Sequence, residues 1–430
     1  MEKRKRNTEK TKIHKGLVGT SSVAGQQRNV CIPEKLRSRH VHVIGRPFMG
    51  KTTLLMHMII NDIKNGHGVA VIDPHGDLVE GLLHLMPQEA IDRVVYFNPG
   101  NPDWIPLWNP MQDIKGLDKC WITDELVGVL KNVFIGWGER MEHILRQSIL
   151  GLLHLPGSSL RDVYEILCKM DESKKIRQLV LETAQNDICR QFWRDDFEKY
   201  RPDDLGPAKN KLSKLLLSDT ATSLMLSQPE NKFDFRHMMD DGTIFLADHS
   251  SNPITEIKQI IGGFILALMC MAAFSRSDVP SKKRRPFTLY LDEASQFVTN
   301  KLESFIAETR RFNVSLVLAH QNLEQFDTEQ VNALGSVGTT IVFNVDVKDA
   351  GHLSKDFRKK VEVRDFVELE QGEAIVRCGT EIMKIKTLGP LDIPEKNFKD
   401  RIIAESQRKY CMPASQVNKR IEQRSNDTRQ

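Results

Sequence analysis

Short apolar runs separated by helical segments mark the first part of the chain. Residues 40–44 (His-Val-His-Val-Ile) have the pattern of a short buried strand, and residues 53–65 have that of a helix following it. Two further apolar runs, at 69–72 and 94–97, continue the alternation. Strands that alternate with helices at this spacing predict an α/β domain with a largely parallel sheet.

A different pattern occupies the middle of the chain. From about residue 116 to 232, apolar residues recur at helical spacing, as at Leu212, Leu215 and Leu216, and strand-like runs are scarce. The strands predicted after this segment are residues 243–247, 287–291, 314–319 and 339–345, with a closing hairpin of 374–377 and 382–387. We interpret the middle segment as an all-α domain inserted into the α/β domain.

Polar, charged segments lie at both ends. The first 36 residues contain few apolar side chains and a set of basic ones, namely Lys3, Arg4, Lys5, Arg6, Lys10, Lys12 and Lys15. This composition predicts a flexible basic arm, which is either a solvated tail or a contact to phosphate backbones. The predicted division is an arm at 1–36, a discontinuous α/β domain at 37–115 and 233–395, an all-α insertion at 116–232 and a charged tail at 396–430.

Composition indicates a cytoplasmic protein. The seven cysteines are scattered and none has metal-ligand spacing, which is typical of reduced thiols without zinc, and we expect His40 and His42 to be structural or solvent-facing. The longest uncharged apolar run, 260–275, is shorter than the roughly 20 residues of a spanning helix and contains Gly262-Gly263, which favours a buried core helix. The basic N-terminus lacks the apolar stretch of a signal peptide. We therefore expect no membrane segment in this chain.

One loop carries a specific phosphate-binding pattern. Gly45-Arg46-Pro47-Phe48-Met49-Gly50-Lys51-Thr52 fits G-x-x-x-x-G-K-[ST] in full, after an apolar strand and before a helix. Glycines allow successive backbone N–H groups to point at phosphate oxygens, and the helix adds its positive end. Lys51 would bind the β- and γ-phosphates of ATP, Thr52 would ligate Mg²⁺, and we expect the nucleotide contacts to extend to Thr53.

A second motif supplies acidic groups. The apolar run Phe287–Leu291 ends in Asp292 and Glu293, at the sheet edge where ligands of parallel sheets bind. Asp292 is predicted to hold Mg²⁺, and Glu293 to orient and deprotonate the attacking water. An acidic pair at a strand end is a weak signal alone, but together with the phosphate-binding loop it predicts an ATPase.

A third segment joins two arginines to a polar strand end. Arg310 and Arg311 precede the apolar run 314–319, and Gln321 follows it. Gln321 is expected beside the γ-phosphate. Either arginine could reach a neighbouring subunit's phosphate as an arginine finger, because a guanidinium suits bidentate phosphate contact, or the pair could be surface charges.

Together these motifs resemble the HerA/FtsK superfamily of hexameric DNA-pumping ATPases, most closely the TraG/TraD-type conjugative coupling proteins and their soluble HerA-like relatives. The resemblance covers roughly residues 38 to 390 and rests on 41–53, 71–77 (Val-Ile-Asp-Pro-His-Gly-Asp), 96–99, 137–145, the Asp292-Glu293 strand, 310–321 and 344–350. It implies a RecA-like P-loop fold, a ring of usually six subunits with ATP at each boundary, and Arg310 as the better match to the finger. Asp73, His75 and Asp77 match the family turn, as either a structural or a catalytic feature.

The resemblance also implies sequence-independent binding of DNA in a ring channel. Candidate phosphate contacts are basic residues of a kind that, taken singly, are more often solvated surface charges: Lys131, Lys209, Lys211, Lys214 and the cluster Arg358-Lys359-Lys360. Membrane-bound coupling proteins carry N-terminal spanning helices, where this sequence has a basic arm. Recruitment by a membrane secretion component, work with a relaxase, a HerA-like motor partnered with a nuclease, and an assembly ATPase without DNA contact all stay open.

Overall fold

A computed structural model describes residues 16–23, 26–169, 171–299 and 301–429. The strands are β1 Leu17–Val23, β2 Gln26–Cys31, β3 Val41–Ile44, β4 Gly68–Asp73, β5 Val94–Phe97, β6 Trp104–Pro106, β7 Ile244–Asp248, β8 Phe287–Leu291, β9 Val314–His320, β10 Thr339–Val342, β11 Glu373–Cys378, β12 Glu381–Thr387 and β13 Cys411–Pro413. The helices are α1 Glu34–Arg37, α2 Lys51–Lys64, α3 Asp77–Leu85, α4 Lys119–Val133, α5 Glu139–Leu153, α6 Leu160–Ile166, α7 Asp171–Thr183, α8 Asp187–Gln191, α9 Pro202–Leu216, α10 Thr220–Ser227, α11 Phe235–Asp241, α12 Thr255–Ser275, α13 Leu302–Glu308, α14 Thr328–Gly335, α15 Val347–Asp356, α16 Val363–Val367, α17 Lys399–Tyr410 and α18 Ala414–Arg429.

Eleven of the described strands form one sheet in the order β2-β1-β12-β11-β10-β3-β9-β8-β4-β7-β5. From β10 to β5 every neighbouring pair is parallel. The strands β3, β8 and β9 are buried along their whole length, as expected where helices cover both faces of a parallel sheet. The predicted α/β fold with a largely parallel sheet is confirmed, and so is the closing hairpin, formed by β11 and β12.

The N-terminal segment differs from the prediction. Strands β1 and β2 form an antiparallel hairpin, and β1 pairs with β12. Val18 and Ile32 are buried in the core there. The expected flexible arm therefore does not extend to residue 36, because residues 16–23 and 26–36 belong to the folded domain. The predicted arm residues 1–15 lie outside the described part of the chain.

The middle of the chain is helical, as the apolar spacing predicts. Helices α4 to α10 follow one another between residues 119 and 227, and the described residues of that stretch form no strand. Helix α4 packs on α12, so the two parts share one apolar core. The boundaries of an inserted domain at 116 and 232 stay a prediction.

Helix α12 contains the longest apolar run. Thr255–Asp278 is the one segment of the described residues long and apolar enough to cross a membrane, but 89% of its most apolar window is buried inside the protein. Gly262 contacts the ring of Phe297 so closely that a Cβ would lie 2.4 Å from it. The prediction of a core helix for this run is confirmed.

The C-terminal segment packs more extensively than a charged tail would. Helix α17 lies along the edge strand β5, where Tyr96 N donates to Ser406 Oγ at 3.0 Å. Strand β13 pairs with β6, and Ile402 and Val417 are buried. Helix α17 thereby covers the β5 edge of the large sheet, which is one way that proteins protect an edge strand.

Candidate nucleotide-binding site

The phosphate-binding loop connects β3 to α2. Gly50 immediately precedes α2 with φ of 110°, a backbone conformation that side chains with a Cβ rarely adopt. At the other end of the loop, a Cβ on Gly45 would lie 2.5 Å from the Cβ of Phe343. Arg46 N donates to the Asn344 carbonyl at 2.8 Å. The two glycines therefore allow a tight loop with its amides at the N-terminus of α2, where an anion binds favourably.

Lys51 lies inside this loop. Its Nζ donates to the carbonyls of Gly45 at 2.5 Å and Arg46 at 3.0 Å, and the residue is buried. Burial lowers the pKa of Lys51, while the nearby Glu293 and Asp292 oppose that shift. The lysine, the loop and the acidic pair are thus brought together, as the sequence predicts.

The acidic pair follows the buried strand β8. Asp292 is 8% exposed, and burial, together with Asp73 and Glu293, raises its pKa to about 7 against the opposing effect of Lys51. A carboxylate held in such surroundings gains from a nearby cation, because the cation offsets the repulsion. The fold implies Mg²⁺ at this position. The Asp292 carboxylate and the Thr52 hydroxyl are oxygen donors of the kind that Mg²⁺ prefers, so the residues fit the ion.

Glu293 is fixed in an uncommon conformation. Its φ is 49°, a left-handed value that residues other than glycine seldom adopt and that is often found at functional sites. Gln321, at the end of the neighbouring strand β9, donates from Nε2 to Glu293 Oε1 at 2.8 Å. The structure therefore adds a contact that the sequence does not reveal: Gln321 holds the carboxylate assigned to the attacking water.

Arg310 and Arg311 lie beside the N-terminal end of β9, whereas the phosphate-binding loop and the acidic pair lie at the C-terminal ends of the strands. Both arginines are exposed in the turn before β9, and Arg311 pairs with Glu308 at 3.1 Å. The seven residues of β9 separate this turn from Gln321, a span of about 20 Å for an extended strand. The structure does not bring either arginine to the phosphate-binding loop of the same chain.

The turn at residues 73–77 has a clear structural role. The buried Asp73 carboxylate accepts hydrogen bonds from the backbone N–H groups of His75 at 2.9 Å, Leu78 at 2.9 Å and Val79 at 3.1 Å. These bonds close the turn and satisfy the N-terminus of α3. Burial raises the pKa of Asp73 despite them. Asp73 also acts on the site, since its charge favours protonation of Asp292.

The basic candidates for DNA contact divide into two groups. Those of the helical segment are engaged within the protein: Lys131 with Glu142, Lys214 with Glu256, Lys211 with the Ile135 carbonyl, and Lys209 over the ring of Tyr164. Arg358, Lys359 and Lys360 are all exposed after α15.

No group of three or more His, Cys, Asp or Glu side chains suited to a metal ion occurs in the described ranges.

The sequence does not predict the contact between two buried histidines near the site. His42 and His320, both buried, lie with their Nε2 atoms 2.6 Å apart. His42, expected to be structural or solvent-facing, is a core residue that joins β3 to β9. The sequence signal was limited to a histidine three positions before Gly45 and another next to Gln321.

Comparisons with known proteins agree with this architecture. A family model described as type IV secretion-system coupling protein DNA-binding domain matches residues 26–396. The fold is similar to bacterial conjugative coupling protein TrwBdeltaN70 in its unbound monoclinic form, with TM-score 0.61 and 17% identity over 89% of this chain and 90% of that chain. Plasmid coupling protein TrwB in complex with ADP and Mg²⁺ gives TM-score 0.60 and 18% identity over 88% of this chain and 90% of that chain. VirB4 of Thermoanaerobacter pseudethanolicus gives 0.59 and 16%, over 87% and 96%. A search of curated proteins found no match.

Proposed function

The chain belongs to the family of the type IV secretion-system coupling protein DNA-binding domain, and on that premise we propose that it is an ATP-hydrolysing motor that moves DNA in conjugative transfer. The observation that carries the proposal is the meeting of four groups at neighbouring strand ends: Lys51 after β3, Asp292 and Glu293 after β8, and Gln321 after β9. A phosphate loop facing an acidic pair is the arrangement that ATP hydrolysis requires.

Each group has a defined task in that reaction. The loop amides and Lys51 would bind the β- and γ-phosphates, and Thr52 and Asp292 would hold Mg²⁺, which would supply positive charge against the phosphates. Glu293 orients a water molecule towards the γ-phosphate and accepts its proton. Gln321 keeps the Glu293 carboxylate in place through the 2.8 Å hydrogen bond. The same hydrogen bond gives Gln321 a means to respond to loss of the γ-phosphate.

The position of Arg310 supports action between subunits. Because the β9 strand separates it from its own nucleotide loop, Arg310 would complete the site of a neighbouring copy. A ring of copies places each such residue at the next boundary, since head-to-tail contacts that close generate rings. The number six and the central channel come from the family resemblance.

DNA is the proposed cargo, and the proposed place of action is the cytoplasm. The protein would contact the phosphates of the DNA. The exposed cluster Arg358, Lys359 and Lys360 is better placed for this than the lysines of the helical segment, which are engaged within the protein. A relaxase, a nuclease or a membrane secretion component would be further partners.

The rate of ATP hydrolysis with and without double-stranded DNA tests the proposal. We expect DNA to raise the rate severalfold, and the stimulation to weaken with added salt, because phosphate contacts release counterions. Hydrolysis that ignores DNA would instead favour the second candidate, an assembly ATPase of a secretion apparatus. An absence of hydrolysis under both conditions would overturn the ATPase itself.

A further inference from the structure

Two buried histidines join the strand before the nucleotide loop to the strand that carries Gln321. His42 on β3 and His320 on β9 have Nε2 atoms 2.6 Å apart, ring centroids 4.8 Å apart and an angle of 8° between ring planes. The centroid separation is close to the Nε2–Nε2 distance plus two ring radii. The rings therefore lie edge to edge in nearly one plane, which is the geometry of a direct N–H···N hydrogen bond.

The surrounding contacts fix the direction of that bond. His320 Nδ1 lies 2.9 Å from the Asn322 carbonyl, which can only accept, so Nδ1 carries the proton. Burial lowers the pKa of His320 to about 3 and that of His42 well below its usual value, so both rings are neutral near pH 7. In neutral His320 the Nε2 atom is then an acceptor, and His42 Nε2–H is the donor.

His320 is also connected to the phosphate-binding loop and, through the next residue, to Glu293. Its carbonyl accepts from the N–H of Gly45, the first residue of the loop, at 3.3 Å. The next residue, Gln321, donates to Glu293 at 2.8 Å. The Phe326 ring packs edge-on against the imidazole, with centroids 4.6 Å apart. The His320 backbone and side chain are thus held from several sides where the loop and the catalytic carboxylate must be aligned.

We propose that His42 and His320 are positioning residues that fix Gln321, and through it the Glu293 carboxylate, relative to the nucleotide-binding loop. The inference rests on the proposed ATP hydrolysis. Both histidines are buried, so the proposed role is to position other groups rather than to contact the nucleotide. Their hydrogen bond couples the loop strand to the Gln321 strand at the buried level just below the site, so its loss would let Gln321 and Glu293 shift while the loop still binds phosphate.

A matched pair of variants tests this. Glutamine and methionine are alike in length, but glutamine alone offers an N–H at the position of His42 Nε2. We expect His42→Met to lower kcat for ATP about tenfold or more, with KM and ADP binding changed less than about twofold, because a small misplacement of a catalytic group costs rate. His42→Gln should restore kcat to within about threefold of the wild type, because the donor remains. His42→Leu, a second donor-free variant, guards against a folding defect specific to methionine.

A control separates positioning from general stability. Thr288 Oγ1 and Ser315 Oγ form a buried hydrogen bond of 3.2 Å between β8 and β9, away from Gln321. Thr288→Val removes that bond and should lower the melting temperature without lowering kcat. Equal losses of kcat in Thr288→Val and His42→Met at equal melting temperature would overturn the inference.

A double-mutant cycle asks whether the histidines act through Gln321. Adding His42→Met to Gln321→Ala should cause little further loss of kcat, because the second change acts through a side chain already removed. Additive losses, or wild-type kcat in His42→Met, would refute the positioning role while leaving the ATPase intact. A wild-type protein that does not hydrolyse ATP would refute the proposed function instead, so the two failures are distinguishable.

Discussion

At the scale of single residues, the site depends on how Glu293 is held. The backbone of Glu293 has a left-handed conformation with φ of 49°, which sets the direction of the side chain. The side-chain amide of Gln321 holds the Glu293 carboxylate through a hydrogen bond. A glutamate fixed in this way keeps its oxygens available to a water molecule without reorganisation, which is the condition for effective proton transfer. The residue and its neighbour on β9 are best considered as one unit.

Replacement of Glu293 by glutamine tests its role as the proton acceptor. Glutamine preserves the shape but cannot take the proton, so kcat should fall about 100-fold or more while ATP still binds. Turnover with Mg-ATP and equilibrium binding of ATP measure the two effects. Glu303→Gln, an exposed glutamate on α13, is the control and should be unchanged. Normal turnover in Glu293→Gln would remove Glu293 from this role.

The raised pKa of Asp292 makes the free energy of unfolding depend on pH. This pKa is about 7 in the folded protein against 3.8 as the ordinary value. Between these values the folded protein binds a proton that the unfolded chain does not. The contribution of this group to stability therefore decreases as pH rises from about 4 and levels off above about 7.

Asp292→Asn removes the loss of stability that the ionised, buried Asp292 carboxylate causes at high pH. Without Mg²⁺, the variant should gain more in melting temperature over the wild type at pH 8 than at pH 4.5, because the buried charge it replaces is fully present only at the higher pH. Asp103→Asn, at an exposed carboxylate, should show no such difference between the two pH values. A gain for Asp292→Asn that is equal at both would contradict the raised pKa.

At the scale of secondary-structure elements, α12 is the support for the segment that follows Glu293. Gly262 faces Phe297, and a Cβ there would lie 2.4 Å from two ring carbons. Phe297 is fully buried and lies four residues after Glu293. The close approach of helix and ring thus links core packing to the segment that begins at Glu293.

Gly262→Ala should therefore disturb both stability and catalysis. Overpacking of this kind costs about 1–3 kcal/mol, and displacement of Phe297 should lower kcat as well as the melting temperature. Gly128→Ala on α4 is the matched control, because a Cβ there meets nothing within 4 Å. Alanine in a helix is more stable than glycine by about 0.5–1 kcal/mol, so the control should gain stability. A gain in both variants would disprove the close packing.

The elements themselves differ in how far the sequence determines them. Strands β3, β8 and β9 are mostly apolar because both faces of a parallel sheet are buried, and the polar residues that follow β8 and β9 predict the site. The β1 strand contains Gly19-Thr20-Ser21-Ser22, which shows no alternation of apolar and polar residues and so does not predict a strand. The position of β1 in the sheet is set instead by its pairing with β12. The His42–His320 contact likewise depends on the register of β3 with β9, which local sequence does not specify.

At the scale of the whole molecule, the two ends of β9 carry the residues that the proposed function assigns to two different sites. Gln321 contacts Glu293 beside the nucleotide loop of the same chain, and the exposed Arg310 at the other end would serve a neighbouring copy. The turn that carries Arg310 is braced from within, since the Arg276 guanidinium donates to the Phe312 carbonyl at 3.0 Å and Asn313 Nδ2 donates to the Arg284 carbonyl at 2.8 Å.

Two inactive variants can therefore restore each other if Arg310 acts between subunits. Arg310→Ala alone should lower kcat on the order of a thousandfold, as expected for an arginine finger. In a mixed ring with Glu293→Gln, a boundary is active where the Arg310 of one subunit meets the Glu293 of the next, each intact. At equal amounts that condition holds at about one quarter of boundaries, if head-to-tail contacts assemble at random.

Hydrolysis measured after subunit exchange checks this number, with each variant alone as the baseline. Arg311→Ala is the control, because Arg311 is paired with Glu308 in its own subunit, and it should keep wild-type activity. An arginine that acted on its own subunit's nucleotide could not be complemented, because every subunit in the mixture would lack one of the two groups. Mixtures that exchange subunits yet stay inactive would therefore place the phosphate contact of Arg310 within one chain or remove it from catalysis.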